Sequence, residues 1–450
     1  MFILQNMLMT GNQKKVFGLF LFAGLSLASF AQDSTKKTTA LADSAKKKTN
    51  SLIISFELRQ RAEYRHGYRN IATHDTGAAF FVAQRARLNI AYSGNKFDLF
   101  ASLQDARVWG QQDPRNPTQP LYLFEVYAEP HFTNKFSVRL GRQRIAYDNQ
   151  RMFSENDWRT AGGSHDAARL IYNNKKDFAT ELTAAYNQNA ENVFTSNYKP
   201  TGFINYKELF IHYLDWKPSD KINIITLNSA DGYQSAVNYK TTYMRFTSGG
   251  RMEYSTPKWY LTLSGYYQYG KDSSGKKIAA YYLQPEIKYS GIKNYTFRLG
   301  MEYLSGHDAT QPVTKDNNFV PLYGVAHRFM GNLDIFTTFP ADVNNAGLVN
   351  PYLFLWYQKN KLLLRCENHL FYSQSNFISN GATIDKYLGF ENDWRINYKA
   401  NSFTDIEAGF CWAAVTKSMT IIRKGGDETT TPVWGYFSIK FTPVLGKFNF

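Results

Sequence analysis

Nine arginines of this chain recur at spacings suited to holding anions: Arg59, Arg61, Arg85, Arg87, Arg107, Arg139, Arg142, Arg144 and Arg169. A guanidinium stays charged at any physiological pH and can grip a carboxylate through two parallel N–H donors. Placed along a water-filled passage, such a row favours anions. Acids are interleaved with it, namely Asp105, Glu125 and Glu129 together with Glu57, Glu63, Asp148 and Asp166. The same residues can therefore form ion pairs between neighbouring strands, and roughly half of the arginines are expected to serve that structural end. Fourteen of the 21 arginines lie between Arg59 and Arg169, so one side of the fold should be richer in guanidinium.

Other chemistry is thinly represented. Asp157, Trp158 and Arg159 are consecutive, and His165 precedes Asp166. A His/Asp pair can act as general base and orienting partner. No serine-centred motif or second spaced carboxylate accompanies it, so these residues read as loop anchors. His327 and Asp334 likewise read as structural rather than as metal ligands. Two cysteines, Cys366 and Cys411, exclude a disulfide scaffold and a multi-cysteine zinc site. The expectation is a protein with no catalytic residues, no metal, no cofactor and no nucleic-acid partner.

The element that must position the arginines is best seen in Lys135–Ala167. Phe136, Val138 and Leu140 alternate with Ser137, Arg139 and Gly141, the period of two that sends side chains to opposite faces of a sheet. Past Gly141 the pattern changes phase. A bulge at the glycine would put Arg139, Arg142 and Arg144 on one face, and Phe136, Val138, Leu140, Ile145 and Tyr147 on the other. Such a strand suits lipid outside and water inside, although a strand of a soluble sandwich can alternate in the same way.

The rest of the chain favours lipid. Phe56, Leu58, Ala62 and Tyr64 oppose Glu57, Arg59, Arg61, Glu63 and Arg65; Ala86, Leu88, Ile90 and Tyr92 oppose Arg85, Arg87 and Asn89. Short polar turns fall at Ser93–Asn95, His131–Asn134, Asn173–Lys176, Pro218–Lys221, Thr256–Lys258, Ser290–Asn294, Gln358–Asn360 and Lys399–Ser402. Long loops fall near 66–79, 110–119, 148–164, 188–204, 230–239, 271–277, 306–347, 373–383 and 416–431. Short turns at one end and long loops at the other mark an all-β transmembrane up-and-down barrel. These eight turns and nine loops divide the chain into eighteen strands, and a barrel in hydrocarbon must close. Whether the last strand stops at Phe441 or runs past Pro443 to the aromatic end at Phe448 and Phe450 stays open. Aromatics make up 16% of the chain while mean hydropathy is −0.44. That combination excludes a helical membrane protein and fits strands with one polar face.

At the N-terminus, Lys14 and Lys15 precede an apolar run ending in Ser29-Phe30-Ala31, which reads as a signal peptide over 1–31. Residues 32–50, Lys-rich and without aromatics, read as a flexible periplasmic leader, and 51–450 as the barrel. The net charge is +15, and seven lysines and two aspartates of the first 50 residues carry five of those charges. Cys366 shares the phase of Leu362, Leu364 and Leu370 and should face lipid. Cys411 shares that of Asp405, Glu407 and Gly409 and should face the lumen, so no disulfide is expected. Segment 306–347 is too long for an ordinary connection and carries Phe329, Met330, Leu333, Ile335 and Phe336. It should fold over or into the pore, with an external cap as the alternative.

The core GRQRIAYDNQRMFSENDWR, followed by His165-Asp166-Ala167, resembles the alginate export family of outer-membrane barrels in its Bacteroidetes-type branch. Leu103–Gly110 (LQDARVWG) and Pro321–Phe336 (PLYGVAHRFMGNLDIF) resemble further motifs of that family. The resemblance implies an eighteen-stranded monomer whose arginine-rich lumen passes an anionic polymer. The expected protein is an outer-membrane porin passing an anionic solute or alginate-like polyuronate by passive diffusion. Its expected partners are outer-membrane lipids, anionic polysaccharide or small anions, and the barrel assembly machinery. The alternatives are a barrel enzyme acting on lipid or glycan, and a structural barrel with a plugged lumen.

Overall fold

A computed structural model describes residues 50–115, 121–200, 205–235 and 238–450. Residues 1–49, read above as a signal peptide and most of a leader, lie outside the described residues. The strands are β1 (Ser51–His66), β2 (Ala79–Ser93), β3 (Phe97–Val108), β4 (Tyr122–Pro130), β5 (Phe136–Gln143), β6 (His165–Asn173) and β7 (Phe178–Tyr186). They continue as β8 (Glu208–Ser219), β9 (Ile222–Gln234), β10 (Thr242–Ser255), β11 (Trp259–Lys271), β12 (Lys277–Tyr289), β13 (Tyr295–Leu304), β14 (Leu348–Lys359) and β15 (Leu362–Ser373). A two-residue ribbon, β16 (Ile378–Ser379) with β17 (Ala382–Thr383), decorates one loop. β18 (Tyr387–Asn401) and β19 (Thr404–Val415) follow, then a last strand in two pieces, β20 (Val433–Phe441) and β21 (Val444–Asn449).

Without the ribbon these make eighteen antiparallel strands in one closed barrel. Each strand pairs with its neighbours in sequence, and β1 closes the ring against β20 and β21, with His66 opposite Val433 and Ser51 opposite Asn449. The last strand therefore runs on past Pro443. Proline cannot donate to the ladder and breaks the strand there, while the Phe56 N–H still reaches the Pro443 carbonyl at 3.0 Å. Tight turns at one end rest on residues that accept a left-handed backbone, such as Asn294 (φ 69°) and Asn360 (φ 51°).

The outer face presents exposed Leu140, Leu170, Leu182, Leu263, Leu283, Leu299 and Leu353. Aromatic pairs border this apolar band. Trp259–Tyr289 and Tyr295–Tyr357 lie toward the short turns, at 4.5 and 5.0 Å between ring centroids; Tyr281–Tyr303 and Tyr372–Tyr387 lie toward the loops, at 5.7 and 5.3 Å. A band of leucines between two aromatic belts is what a bilayer with two interfaces selects. Cys366 shares the outer face with exposed Leu370, whereas Cys411 is fully buried inside; both thiols are free.

The expected bulge at Gly141 is absent, and alternation continues through it without a register shift. Gly141 has φ +126°, and a Cβ there would lie 2.3 Å from the Val126 carbonyl oxygen, so close approach of β4 explains the glycine. The consequence reverses the assignment of three residues. Arg142 turns outward, where it forms a two-pronged pair with Asp166 at 2.9 and 2.7 Å, both side chains exposed at the loop-side rim. Ile145 and Tyr147, expected to face lipid, turn inward and are buried.

Candidate functional site

The loop-side half of the lumen holds a packed apolar core. Inward residues of the wall, including Leu209, Ile211, Leu227, Leu304, Leu348, Phe371 and Leu388, are buried against two loops. One is 305–347, which folds into the pore as expected: Phe319, Met330, Leu333, Ile335 and Phe336 are each at most 1% exposed. The other is 144–164, where Met152 and Phe153 join the same cluster. Nothing in its local pattern distinguished it from an ordinary long loop. The two loops pair along a short bridge between Phe153 and Tyr323, and the Val325 N–H donates to the Gln150 carbonyl at 3.0 Å. Loop 416–432 packs on top with a one-turn helix, α1 (Lys417–Ile422), and its Arg423 is ion-paired to Asp342.

Polar groups pin this plug to the wall. Buried Arg151 meets Glu302 of β13 at 2.6 Å, and Tyr282 donates to the same carboxylate. The N–H and side-chain amide of Asn332 donate to Asp393, at 3.0 and 2.6 Å, and the Leu333 N–H donates to Glu391 at 2.7 Å. His327 and Asp334 bracket the loop at 2.8 Å, Tyr68 donates to Asp334, and the His327 ring stacks on Trp158 at 4.4 Å. Among the described residues no cluster of three His, Cys, Asp or Glu could hold a metal.

The arginines singled out above divide into three sets. Arg59, Arg61, Arg85 and Arg87 point inward and are engaged by loop 144–164. Arg61 donates to the Trp158 carbonyl at 2.8 Å and lies over its ring, while Arg85 and Arg87 clasp Asp157 at 2.9 and 2.8 Å. The Arg159 carbonyl accepts from Arg59 at 2.8 Å. Arg139 pairs with Glu129 at 2.6 Å, Arg144 with Glu125 and Glu155 at 2.8 and 2.6 Å, and Arg169 with Glu181, all inside. Arg107 and Asp105 do not line the pore. Gln104 and Ala106 oppose the inward residues Arg87 and Arg85, so Asp105 and Arg107 stand on the outer face, paired at 2.9 Å near the rim. His165 turns inward to Tyr206, 2.8 Å away, while Asp166 turns outward, so they are not a base and its orienter.

Beneath the plug, toward the short turns, lies a cavity of about 410 Å³. Its cations are Arg251, Lys288, Arg298, Arg365 and Arg395 of the wall and Arg328 of the plug. Arg298 pairs with Glu286 at 2.7 Å and Arg395 with Glu367 at 2.8 Å. Aromatic faces alternate with these charges. Lys288 lies 4.6 Å from the Tyr260 ring centroid, and the Trp356 ring has Arg298 at 4.7 Å and Arg365 at 5.4 Å. These residues come from the arginine-poor two thirds of the chain. The alternation could have found them, since Arg298 stands between Phe297 and Leu299 and Arg395 between Trp394 and Ile396.

Two plug carboxylates have acidities set by their surroundings. Burial alone would raise the pKa of Asp157, but Arg85, Arg87 and Arg59 outweigh it and hold the group below the usual carboxylate range. Burial also acts upward on Asp334, and His327 outweighs it to leave the group depressed. A depressed carboxylate contributes anchoring above its unfolded pKa and loses it as pH falls through the folded value. Conductance is therefore expected to stay constant from pH 7 to about 5 and to change only below about pH 4. A conductance step between pH 5 and 6 would show that the plug is controlled by groups other than Asp157 and Asp334.

A closed eighteen-strand barrel with loops at one end, tight turns at the other and an apolar outer band is the fold of the bacterial outer-membrane barrels, and this protein is an outer-membrane β-barrel. The alginate export profile matches residues 50–339, so the chain belongs to the alginate export family. Solved structures with the same architecture include Pseudomonas aeruginosa OpdL (TM-score 0.61, 12% identity, 88% of this chain and 99% of that one). Acinetobacter baumannii OccAB1 is comparable (TM-score 0.61, 10% identity, 88% and 97%), as is P. aeruginosa OpdK solved with vanillate (TM-score 0.56, 10% identity, 88% and 99%). The comparison with curated protein sequences found no match.

Proposed function

We propose that this porin passes small anionic solutes by passive diffusion, with no chemistry of its own. The cavity beneath the plug carries the reading: six cations, outnumbering five carboxylates, and several aromatic faces surround a space of about 410 Å³, within the range of roughly 300–1,000 Å³ typical of small-molecule sites. Carboxylate-bearing rings match both features, through guanidinium forks and ring faces. The vanillate in OpdK is such a molecule. A polyuronate strand fits less well, because threading it requires the apolar plug to leave. The plug itself favours a second reading, a barrel that is shut at rest. Lipid surrounds the outer leucine band, and a monomer folded by the barrel assembly machinery completes the proposal.

Lys288 and the exposed Arg328 are the cavity cations best suited to a test of selectivity. In water, opposed unit charges at 4 Å interact by about 1 kcal/mol, and 1.36 kcal/mol is tenfold. The double variant Lys288→Glu/Arg328→Glu should lower the anion/cation permeability ratio about five- to tenfold in planar bilayers, less so at 1 M salt where screening is strong. An unchanged ratio in the folded variant would remove the cavity from the conduction path, and a silent wild-type protein would favour the barrel that is shut at rest.

A further inference from the structure

Arg59 and Arg85 stand directly opposite each other on β1 and β2, and Arg87 is the next inward residue along β2. Like charges so placed repel. Glu57 takes one N–H of Arg85 at 2.6 Å. Among the described residues Arg59 has no acidic side chain within ion-pair distance; it donates to the Asp157 and Arg159 carbonyl oxygens at 2.7 and 2.8 Å. The missing anion comes from the plug. One oxygen of the Asp157 carboxylate sits 2.9 Å from Arg85 Nη2, and the other 2.8 Å from Arg87 Nη1. Three wall arginines thus converge on one residue of a loop.

That residue borders open space. The Asp157 side chain keeps 29% of its surface and lines the same cavity as Lys288 and Arg328. The peptide carrying it is held by turns, with Asn156 at φ 47° and Gly162 at φ 76°. A Cβ at position 162 would lie 2.9 Å from Arg87 Nη2 and 3.0 Å from the Phe124 ring, so glycine lets this loop lie flat on the arginines.

We infer that Arg59, Arg85 and Arg87 form a carboxylate-binding site which Asp157 fills as a tethered stand-in for the solute, and that a solute carboxylate exchanges with it. The inference rests on the reading of the protein as an anion channel. With Asp157 in place, the positive potential of this wall is largely cancelled and anions are drawn to the opposite, Lys288 side. Once Asp157 is displaced, both walls attract. A tethered group competes like a ligand at an effective concentration of roughly millimolar when its linker is flexible and higher when it is held in place, so solute must be supplied at tens of millimolar or more to take its place. Asp157 is thereby a specificity-determining residue, and the exchanged solute is one with a free carboxylate.

The test uses the full-length barrel, with galacturonate as the probe. In Asp157→Asn the anion/cation permeability ratio should rise about threefold, and galacturonate should block half the current at about a tenfold lower concentration. Asp157→Glu should match the wild type. A second measurement needs no change at Asp157: galacturonate titrated into the wild type should shift tryptophan emission as Trp158 leaves the His327 ring, and Trp158→Phe should abolish that shift. Unchanged selectivity and block in folded Asp157→Asn, or a titration with no Trp158 signal, overturns the proposal. A wild-type permeability ratio at or below one sinks the channel reading itself, and the titration then still decides whether the arginine site exchanges its carboxylate.

Discussion

Replacing residues 310–340 with a glycine–serine link is expected to raise single-channel conductance severalfold in planar bilayers. The segment fills the loop-side lumen with Phe319, Phe329, Met330, Leu333, Ile335 and Phe336, all buried. Burying six such side chains stabilises the closed arrangement by on the order of 10 kcal/mol before ordering entropy is subtracted. The deletion uncovers Leu209, Ile211, Leu227, Leu304 and Leu348 to water, so the variant should also denature at a lower temperature. The barrel should nonetheless survive, because its ladder is closed and its outer face is in lipid. Unchanged conductance in a folded deletion variant would mean that ions already bypass the plug, for example beside loop 144–164.

The second large effect is expected at Arg151. Its guanidinium and the Glu302 carboxylate are 2% and 0% exposed and meet at 2.6 Å, with the Val325 carbonyl accepting a further bond at 3.2 Å. Removing one partner of a buried pair leaves an uncompensated charge and typically costs about 3–5 kcal/mol. Arg151→Met should therefore loosen the plug strongly, seen as noisy, higher conductance and a lower thermal midpoint. Adding Glu302→Gln should recover most of the loss, because the orphaned charge is then gone and Tyr282 can still donate to the amide oxygen. A single variant costing under about 1 kcal/mol, or a double variant no better than the single, would show that the apolar core alone holds the two loops together.

Much of the barrel is legible in the chain because its cause is local. A strand between lipid and an interior must alternate, so Arg59, Arg61, Arg85 and Arg87 could be placed inside from β1 and β2 without any partner being known. Turn chemistry at Asn294 and Asn360 and the spacing of the long loops are local as well, and they yield eighteen strands. The apolar content of 306–347 likewise announced a segment that needed burial.

Three features were decided only by tertiary structure. Alternation says that two faces differ, but at a strand end above the hydrocarbon a charge can lie on either. Arg142 with Asp166 and Arg107 with Asp105 are outward ion pairs of that kind, settled by the neighbouring strands. Loop 144–164 enters the lumen because Arg151 finds Glu302, 151 residues along the chain, and Asp157 finds Arg85 and Arg87. No local pattern encodes such a meeting. The basic cavity joins Lys288 and Arg298, opposed on β12 and β13, to Arg365 and Arg395, opposed on β15 and β18. Barrel closure and the docked plug bring them around one space, so the sequence alone determined the wall while the folded loops decided what the wall surrounds.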